Sequence, residues 1–220
     1  VALLCEATNL KSGEAVLEIG CGIARNATSI FRKFGDDIHY LGFDIVKYGI
    51  EWSNKHFTRL QPDDRKFTFV HADIRNSFYN PRGGVSSEDY LFPAKDEKFD
   101  LVFATSVFTH MQFDETCHYL SEAFRVLKPG ASVCFTAFLW DVDSKAIADQ
   151  ELAAFSFKHA ALNGRIQDIE EPDLAVAHDR SKLLTCLKAL GFAEIDTQEG
   201  SWRGQPSNTF QDFVTATKSK

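Results

Sequence analysis

No two cysteines in this sequence have CxxC spacing, and Cys5, Cys21, Cys117, Cys134 and Cys186 are scattered and odd in number. That argues against a zinc site and against a disulfide framework, and makes a reducing cytoplasm the expected location. No uninterrupted apolar run approaches the roughly 20 residues of a membrane-spanning helix, so no membrane span is expected. No lysine and arginine block offsets the net charge of -7, which makes nucleic acid a disfavoured partner. No basic-then-apolar leader opens the chain, although its first residue is Val1 and not methionine, which leaves an upstream segment and its targeting open. There is also no internal repeat or low-complexity tract.

What is present is an ordinary globular composition, 44% hydrophobic and 25% charged over 220 residues, enough for one domain with a real core. Ala15 to Ile19 reads as a strand running into Gly20-Cys21-Gly22, followed by a helical stripe of Ala27, Ile30, Phe31 and Phe34 that Gly35 ends. His39 to Asp44 and Phe67 to Ala72 read as further strands, with a helix over Val46 to Leu60 between them. A long loop over 76–97 precedes a near-continuously apolar strand, Phe99 to Ala104, as expected of a strand buried on both faces. Asp114 is the expected cap of the next helix, which Lys128-Pro129-Gly130 ends before a strand over Ala131 to Phe138. The segment 140–178 breaks the alternation and reads as an irregular or partly helical insertion, a substrate lid. A helix over Asp179 to Leu190 follows. Two strands, Ala193 to Gln198 and Phe210 to Thr217, then close the chain, too closely joined to be parallel. The fold class is therefore α/β, with one domain spanning 1–220.

The chemistry concentrates at strand ends. Glycines at Gly20 and Gly22 let backbone approach a ligand, and the helix that follows offers unpaired N–H groups. Arg25 stands where a dinucleotide fold places its third glycine, which weakens a nicotinamide reading. Asp44, at the end of the second strand, can accept from both hydroxyls of a ribose. Asp73, after the third, can accept from an adenine amine while a neighbouring N–H meets a ring nitrogen. Together they converge on the crevice where open α/β sheets bind ligands.

In this order and spacing the chain resembles the class I S-adenosylmethionine-dependent methyltransferases. Val16 to Gly22 is similar to their first motif, Gly42-Phe43-Asp44 to the ribose acid, His71-Ala72-Asp73 to the adenine acid, and Val126 to Gly130 to the turn before their fifth strand. The resemblance implies a three-layer sandwich around a seven-stranded, mostly parallel Rossmann-like sheet that ends in an antiparallel strand. It also implies S-adenosylmethionine as cofactor. Glu18 would help hold the methionine end, Gly20 and Gly22 would admit it, and Thr105 and Ser106 would contact its amino-acid part, with Arg25 nearby. Asp44 would hold the ribose beside Ile45, and Asp73 with the N–H of Ile74 would take the adenine. Cys21 lies between the glycines with no chemistry assigned.

The activity this implies is in-line methyl transfer to a small-molecule oxygen or nitrogen acceptor. Because the sulfonium methyl is already activated, alignment is the main task, and a hydroxyl acceptor would gain from a histidine base. His110 and His178 are the candidates. Asp141 and Asp143 read as helix-capping residues in a polar loop and no metal is assigned. The segments 76–97 and 140–178 would face the substrate, and Phe78, Tyr79, Tyr90, Phe92, Trp140, Phe155, Phe157 and Trp202 either wall an acceptor pocket or belong to the core. A nicotinamide-dependent oxidoreductase and a non-catalytic methyltransferase-like binding subunit remain as alternatives.

Overall fold

The computed structural model describes residues 2–60, 66–149 and 155–220. A short helix α1 (Ala2–Thr8) precedes β1 (Ala15–Ile19), α2 (Arg25–Phe34), β2 (His39–Asp44), α3 (Lys47–Leu60) and β3 (Phe67–His71). Next come β4 (Phe99–Ala104), α4 (Phe113–Val126), β5 (Leu127–Trp140), α5 (Val142–Asp149), β6 (His159–Ala161), β7 (Gly164–Ile166) and β8 (Val176–Asp179). The chain ends with α6 (Arg180–Leu190), β9 (Phe192–Gln198) and β10 (Asp212–Lys218).

Among the described residues the strands form one sheet of 10, and its body runs β3-β2-β1-β4-β5-β10-β9. Strands β1 to β5 are mutually parallel, while β10 lies antiparallel to both β5 and β9, as the short terminal connection requires. Those seven strands match the expected body. The addition is β8-β7-β6, which starts where β10 stops. Ser132 to Ala137 of β5 pair with β10, and Phe138 to Trp140 pair in parallel with Ala177 to Asp179 of β8.

Period-2 alternation explains why both faces of the sheet are dry. On β4, Val102 and Ala104 pack with Leu120 and Ala123 of α4 and with Leu183 and Leu187 of α6. Its Leu101 and Phe103 pack on the opposite face with Ala27 and Ile30 of α2 and Ile50 and Phe57 of α3. Each fully buried side chain of this size contributes roughly 1.5–3 kcal/mol. Among the described residues no helix is long and apolar enough to cross a membrane.

Three expectations need correction. Asp114 does not cap α4: Gln112 does, its side chain accepting from the third helical N–H while Glu115 accepts the Gln112 N–H at 2.6 Å. Strand β5 begins at Leu127 because Pro129 and Gly130 end the helix without turning the chain, and the register against β4 shifts between Phe99 and Leu101. The insertion is partly helical as expected, over α5, but it also bears strands: β6 and β7 form a hairpin closed at Ala161 and Gly164, with Asn163 at φ +55°. Residues 150–154 of the insertion lie outside the described residues.

Candidate functional site

The turn after β1 is built by backbone. Gly20 and Cys21 donate to the Phe43 carbonyl at 2.9 and 3.1 Å, which ties the loop to the end of β2. Gly20 has φ +70°, and a Cβ there would lie 2.3 Å from Cγ2 of Val107, so any side chain would be strained and would clash. Gly22, at φ +52°, donates to Oδ2 of Asp44 at 2.7 Å, and a Cβ on it would meet nothing within 4 Å. The other carboxylate oxygen of Asp44 accepts from the Val46 N–H at 2.7 Å. Two backbone donors thus fix a buried carboxylate at the end of β2, with lone pairs left for a ligand.

Around this turn a cleft of about 410 Å³ opens along the carboxyl ends of β1 to β4, within the range of small-molecule sites. Its walls include Gly20, Gly22, Arg25, Asp44, Ile45, Ile74, Thr105, Ser106 and His110. These residues were expected from sequence, and the fold gathers them into one cavity. Ser106 takes a left-handed backbone, φ +57°, held by its N–H to Thr136 Oγ1 at 2.8 Å and its hydroxyl to Gln211 Oε1 at 3.1 Å.

Other expected residues stand elsewhere. Glu18 does not line the cleft: its carboxylate is buried, accepting from the Tyr40 hydroxyl and from Asn26 Nδ2 at 2.7 Å. Burial raises its pKa to about 7, against the lowering effect of those two donors. Asn26 also donates to Thr105 Oγ1 at 3.1 Å, so Glu18 reaches the cleft through that amide. Cys21 turns into the core against Gly42, and burial raises its thiol pKa. Asp73 is exposed and does not line the cleft; its carboxylate accepts from Asn80 Nδ2 at 3.1 Å and the Gly84 N–H at 3.2 Å. The Ile74 N–H is already donated to the Ala72 carbonyl at 2.8 Å.

The two histidines separate. His110 borders the cleft, with Nδ1 3.1 Å from the Asp173 carbonyl and its ring edge-on to Tyr79. A carbonyl only accepts, so the neutral ring carries its proton on Nδ1 and leaves Nε2 as an acceptor. His178 is buried in β8 and does not line the cleft. Its Nε2 lies 2.8 Å from the Phe108 carbonyl, its Nδ1 has no partner, and burial lowers its pKa to about 4. Burial, absent from the sequence pattern, removes it as a base.

Of the aromatics, Tyr79 lines the cleft, Phe78 is exposed, and Tyr90 and Phe92 pack on Phe43 in the core. Phe138, Phe157 and Trp202, with Trp140 and Phe155 against them, form a separate small core under the insertion. Asp141 caps α5, accepting from the Ser144 N–H at 2.8 Å, and pairs with Arg203 and Arg180. Ser87, Met111, Glu115 and Tyr119 also line the cleft and were not expected. For Glu115 the one sequence signal is its place three residues after Gln112, which announces a cap and nothing more.

A family model described as a methyltransferase domain matches residues 10–185. The chain belongs to that methyltransferase family. A cycloartenol-C-24-methyltransferase of Arabidopsis thaliana is 28% identical over 187 residues, covering 84% of this chain and 46% of that protein. The chain thus spans under half the length of this curated relative. A solved 1,6-didemethyltoxoflavin-N1-methyltransferase of Burkholderia thailandensis, with S-adenosylhomocysteine bound, aligns with TM-score 0.63 at 18% identity, covering 100% of this chain and 76% of that one. The [4+2]-cyclase SpnF aligns at 0.62 and 17% identity, covering 99% of this chain and 80% of that one. At such identities the likeness establishes the fold, and the cyclase is a reminder that one fold carries several reactions.

Proposed function

We propose that this methyltransferase-family protein transfers the methyl group of S-adenosylmethionine to a small-molecule oxygen or nitrogen acceptor. The observation that carries the reading is the Asp44 carboxylate, pinned by the Gly22 and Val46 N–H groups beneath open space at the glycine turn. That geometry suits a vicinal diol above an acid and close passage of a chain over Gly22. Ile45 and Ile74 would flank the base, and Thr105 and Ser106 the amino-acid part, with Arg25 matching its carboxylate. Glu18 acts through Asn26, orienting the amide that faces Thr105.

The cofactor supplies a methyl group already activated on a sulfonium, so the chain's own task is to align the acceptor and exclude water. His110, with Nε2 unprotonated, is suited to take the proton of a hydroxyl acceptor. The segment 76–97 supplies Asn76 and Tyr79 to the wall, and 140–178 reaches His110 through Asp173. Both segments are assigned to the acceptor side of one domain. The small-molecule class is supported by the modest cleft and by the net charge of -7. Arg25 in place of a third glycine and the antiparallel β10 speak against the nicotinamide alternative.

Calorimetric titration with S-adenosylhomocysteine, with NAD as the control, tests the reading. Binding of the first alone is expected, followed by methyl transfer in an acceptor screen. Binding of NAD alone would overturn the assignment, and cofactor binding without turnover of any acceptor would favour the non-catalytic alternative.

A further inference from the structure

The loop that follows β3 folds back on the strand's own exit. Asn76 and Asn80 exchange backbone hydrogen bonds at 3.1 Å, and from Asn80 the chain returns alongside residues 73–75. There the Val85 N–H donates to the Asp73 carbonyl at 3.1 Å, and the Val85 carbonyl accepts from the Arg75 N–H at 2.8 Å, a parallel bridge centred on Ile74. The two backbones lie so close that a Cβ on Gly83 would stand 2.3 Å from the Arg75 nitrogen and from the Ile74 carbonyl carbon.

This return brings two donors to one carboxylate. Asn80 Nδ2 donates to Oδ1 of Asp73 at 3.1 Å, and the Gly84 N–H donates to Oδ2 at 3.2 Å. The Asn80 amide also donates to the Ile74 carbonyl at 3.0 Å, which fixes the amide in turn. Each Asp73 oxygen keeps a free lone pair, and the residue is exposed. Asp44 is held in the same way, by the Gly22 N–H on one oxygen and the Val46 N–H on the other. Because both partners of Asp73 are donors, a carboxylate satisfies them and an amide would set its own NH2 group against one of them.

We propose that Asn80 and the Gly84 N–H are positioning groups for base recognition, holding the Asp73 carboxylate ready to receive the exocyclic amine of the adenine. The assignment rests on the S-adenosylmethionine reading of the cleft. Along the carboxyl edge the strand order β4, β1, β2, β3 sets Thr105, Gly20, Asp44 and Ile74 in sequence. With the ribose on Asp44 and the amino-acid part toward Thr105, the base falls at the exit of β3. Its amino edge, the far end of the ligand, then reaches the rim where Asp73 stands beside Ile74. An acid fixed beforehand loses less conformational freedom when the base arrives, so the clamp acts as preorganisation.

The test titrates S-adenosylhomocysteine and its deaminated analogue S-inosylhomocysteine, which carries an oxygen in place of the amine, into the wild-type chain, Asn80→Ala, Asp73→Asn and the double variant. The wild type should bind the 6-oxo compound about tenfold more weakly, the lower end for a hydrogen bond to a charged group, since the acid is exposed. Asn80→Ala should lose about three- to fivefold in S-adenosylhomocysteine affinity and less than about twofold for the analogue, which narrows the ratio. Asp73→Asn should bring the ratio to about one, and adding Asn80→Ala to it should cost less than about twofold more, because nothing is left to position. A merely structural role for Asn80 would instead lower both affinities alike. An unchanged ratio in either single variant, a loss in Asn80→Ala that adds in full to that of Asp73→Asn, or a wild type that does not discriminate overturns the proposal and leaves the cofactor reading intact. Should Asn80→Ala fail to fold, the isosteric Asn80→Asp, which turns the donor into an acceptor, serves the same comparison. A wild type that binds neither compound overturns the cofactor reading and this proposal with it.

Discussion

The cleft edge along β1 and β2 and the insertion between β5 and α6 are built on opposite principles. At the edge, the backbone does the holding: left-handed residues and N–H groups fix Asp44 and leave its lone pairs toward open space. Beneath the insertion, side chains do the holding. Phe138, Phe157 and Trp202 close a small core of their own. A buried Asp212 ties that core down, accepting from Leu139 and Gly200 N–H groups at 2.7 and 2.8 Å, from Trp202 Nε1 at 3.0 Å and from Arg203 Nε at 3.1 Å. Arg203 carries the connection on to Asp141 at the head of α5. A site that must meet a ligand leaves valences open, whereas a support that must stay rigid closes them.

The largest expected effect breaks the support. Asp212→Ala leaves the buried Arg203 with Asp141 as its remaining carboxylate and strips the Leu139, Gly200 and Trp202 N–H groups of their acceptor, and loss of one partner of a buried pair costs about 3–5 kcal/mol. In a chain of this size that corresponds to a fall in melting temperature of about 10 °C. A shift of only a degree or two in a thermal melt would mean that the network is solvated, and the contrast between the two regions would dissolve.

Asp44→Ala breaks the edge instead. Loss of hydrogen bonds to a charged group, about 1.5–3 kcal/mol, should lower S-adenosylhomocysteine affinity about 10- to 100-fold. The effect should appear in calorimetry with the circular dichroism spectrum retained. Unchanged affinity would refute the ribose placement.

Each region also buries a group whose titration burial shifts across the neutral range, Glu18 at the edge and His178 in the insertion, and the two act in opposite directions. His178, lowered by burial to about 4, stays neutral in the folded state while the unfolded chain binds a proton below its ordinary 6.5, so its contribution is lost as pH falls from 6.5 toward 4. Glu18, raised by burial to about 7, stays protonated in the folded state while the unfolded chain ionises above 4.5. Its contribution is present below 4.5 and is lost as pH rises toward 7. Between pH 7.5 and pH 5 each is worth about 2 kcal/mol, with opposite sign, so these two contributions nearly cancel in the wild type. Urea unfolding should show His178→Gln gaining stability on acidification relative to the wild type and Glu18→Gln losing it. Two variants that both follow the wild-type pH profile would remove both burial arguments.

The same contrast explains what the sequence disclosed. Period-2 alternation and glycine stops report backbone, so the strands through Ala104, the antiparallel closing pair and the turn at Gly20 were legible, and Asp44 with them. The direction of a side chain at the end of an element is settled by what arrives from afar. Asp73 turns to Asn80 and Gly84, Glu18 lies behind Asn26, and His178 is covered by the turn it supports. None of those partners follows from local pattern. The hairpin in the insertion had a local signal in Asn163-Gly164, flanked by segments too short for alternation to announce them. Glu115 was hidden differently, since its capping position was a sufficient reason for it to be there.

The smallest expected effect lies where the two regions touch. The insertion holds the turn over 108–110 from both sides, His178 on the Phe108 carbonyl and the Asp173 carbonyl on His110 Nδ1. Asp173 is steadied by Ser77 at 2.6 Å and Gln112 at 3.1 Å. Ser77→Ala removes one exposed hydrogen bond and should cost less than about 1 kcal/mol, with cofactor affinity unchanged. If the insertion exists to set the tautomer of His110, that small loss should still register at the ring, as a shift of the imidazole nitrogen resonances away from pure Nδ1 protonation. A ring that keeps its Nδ1 proton unperturbed would assign its orientation to Tyr79 and the 3-10 turn alone, and the insertion would then be a support for the sheet and not for the chemistry.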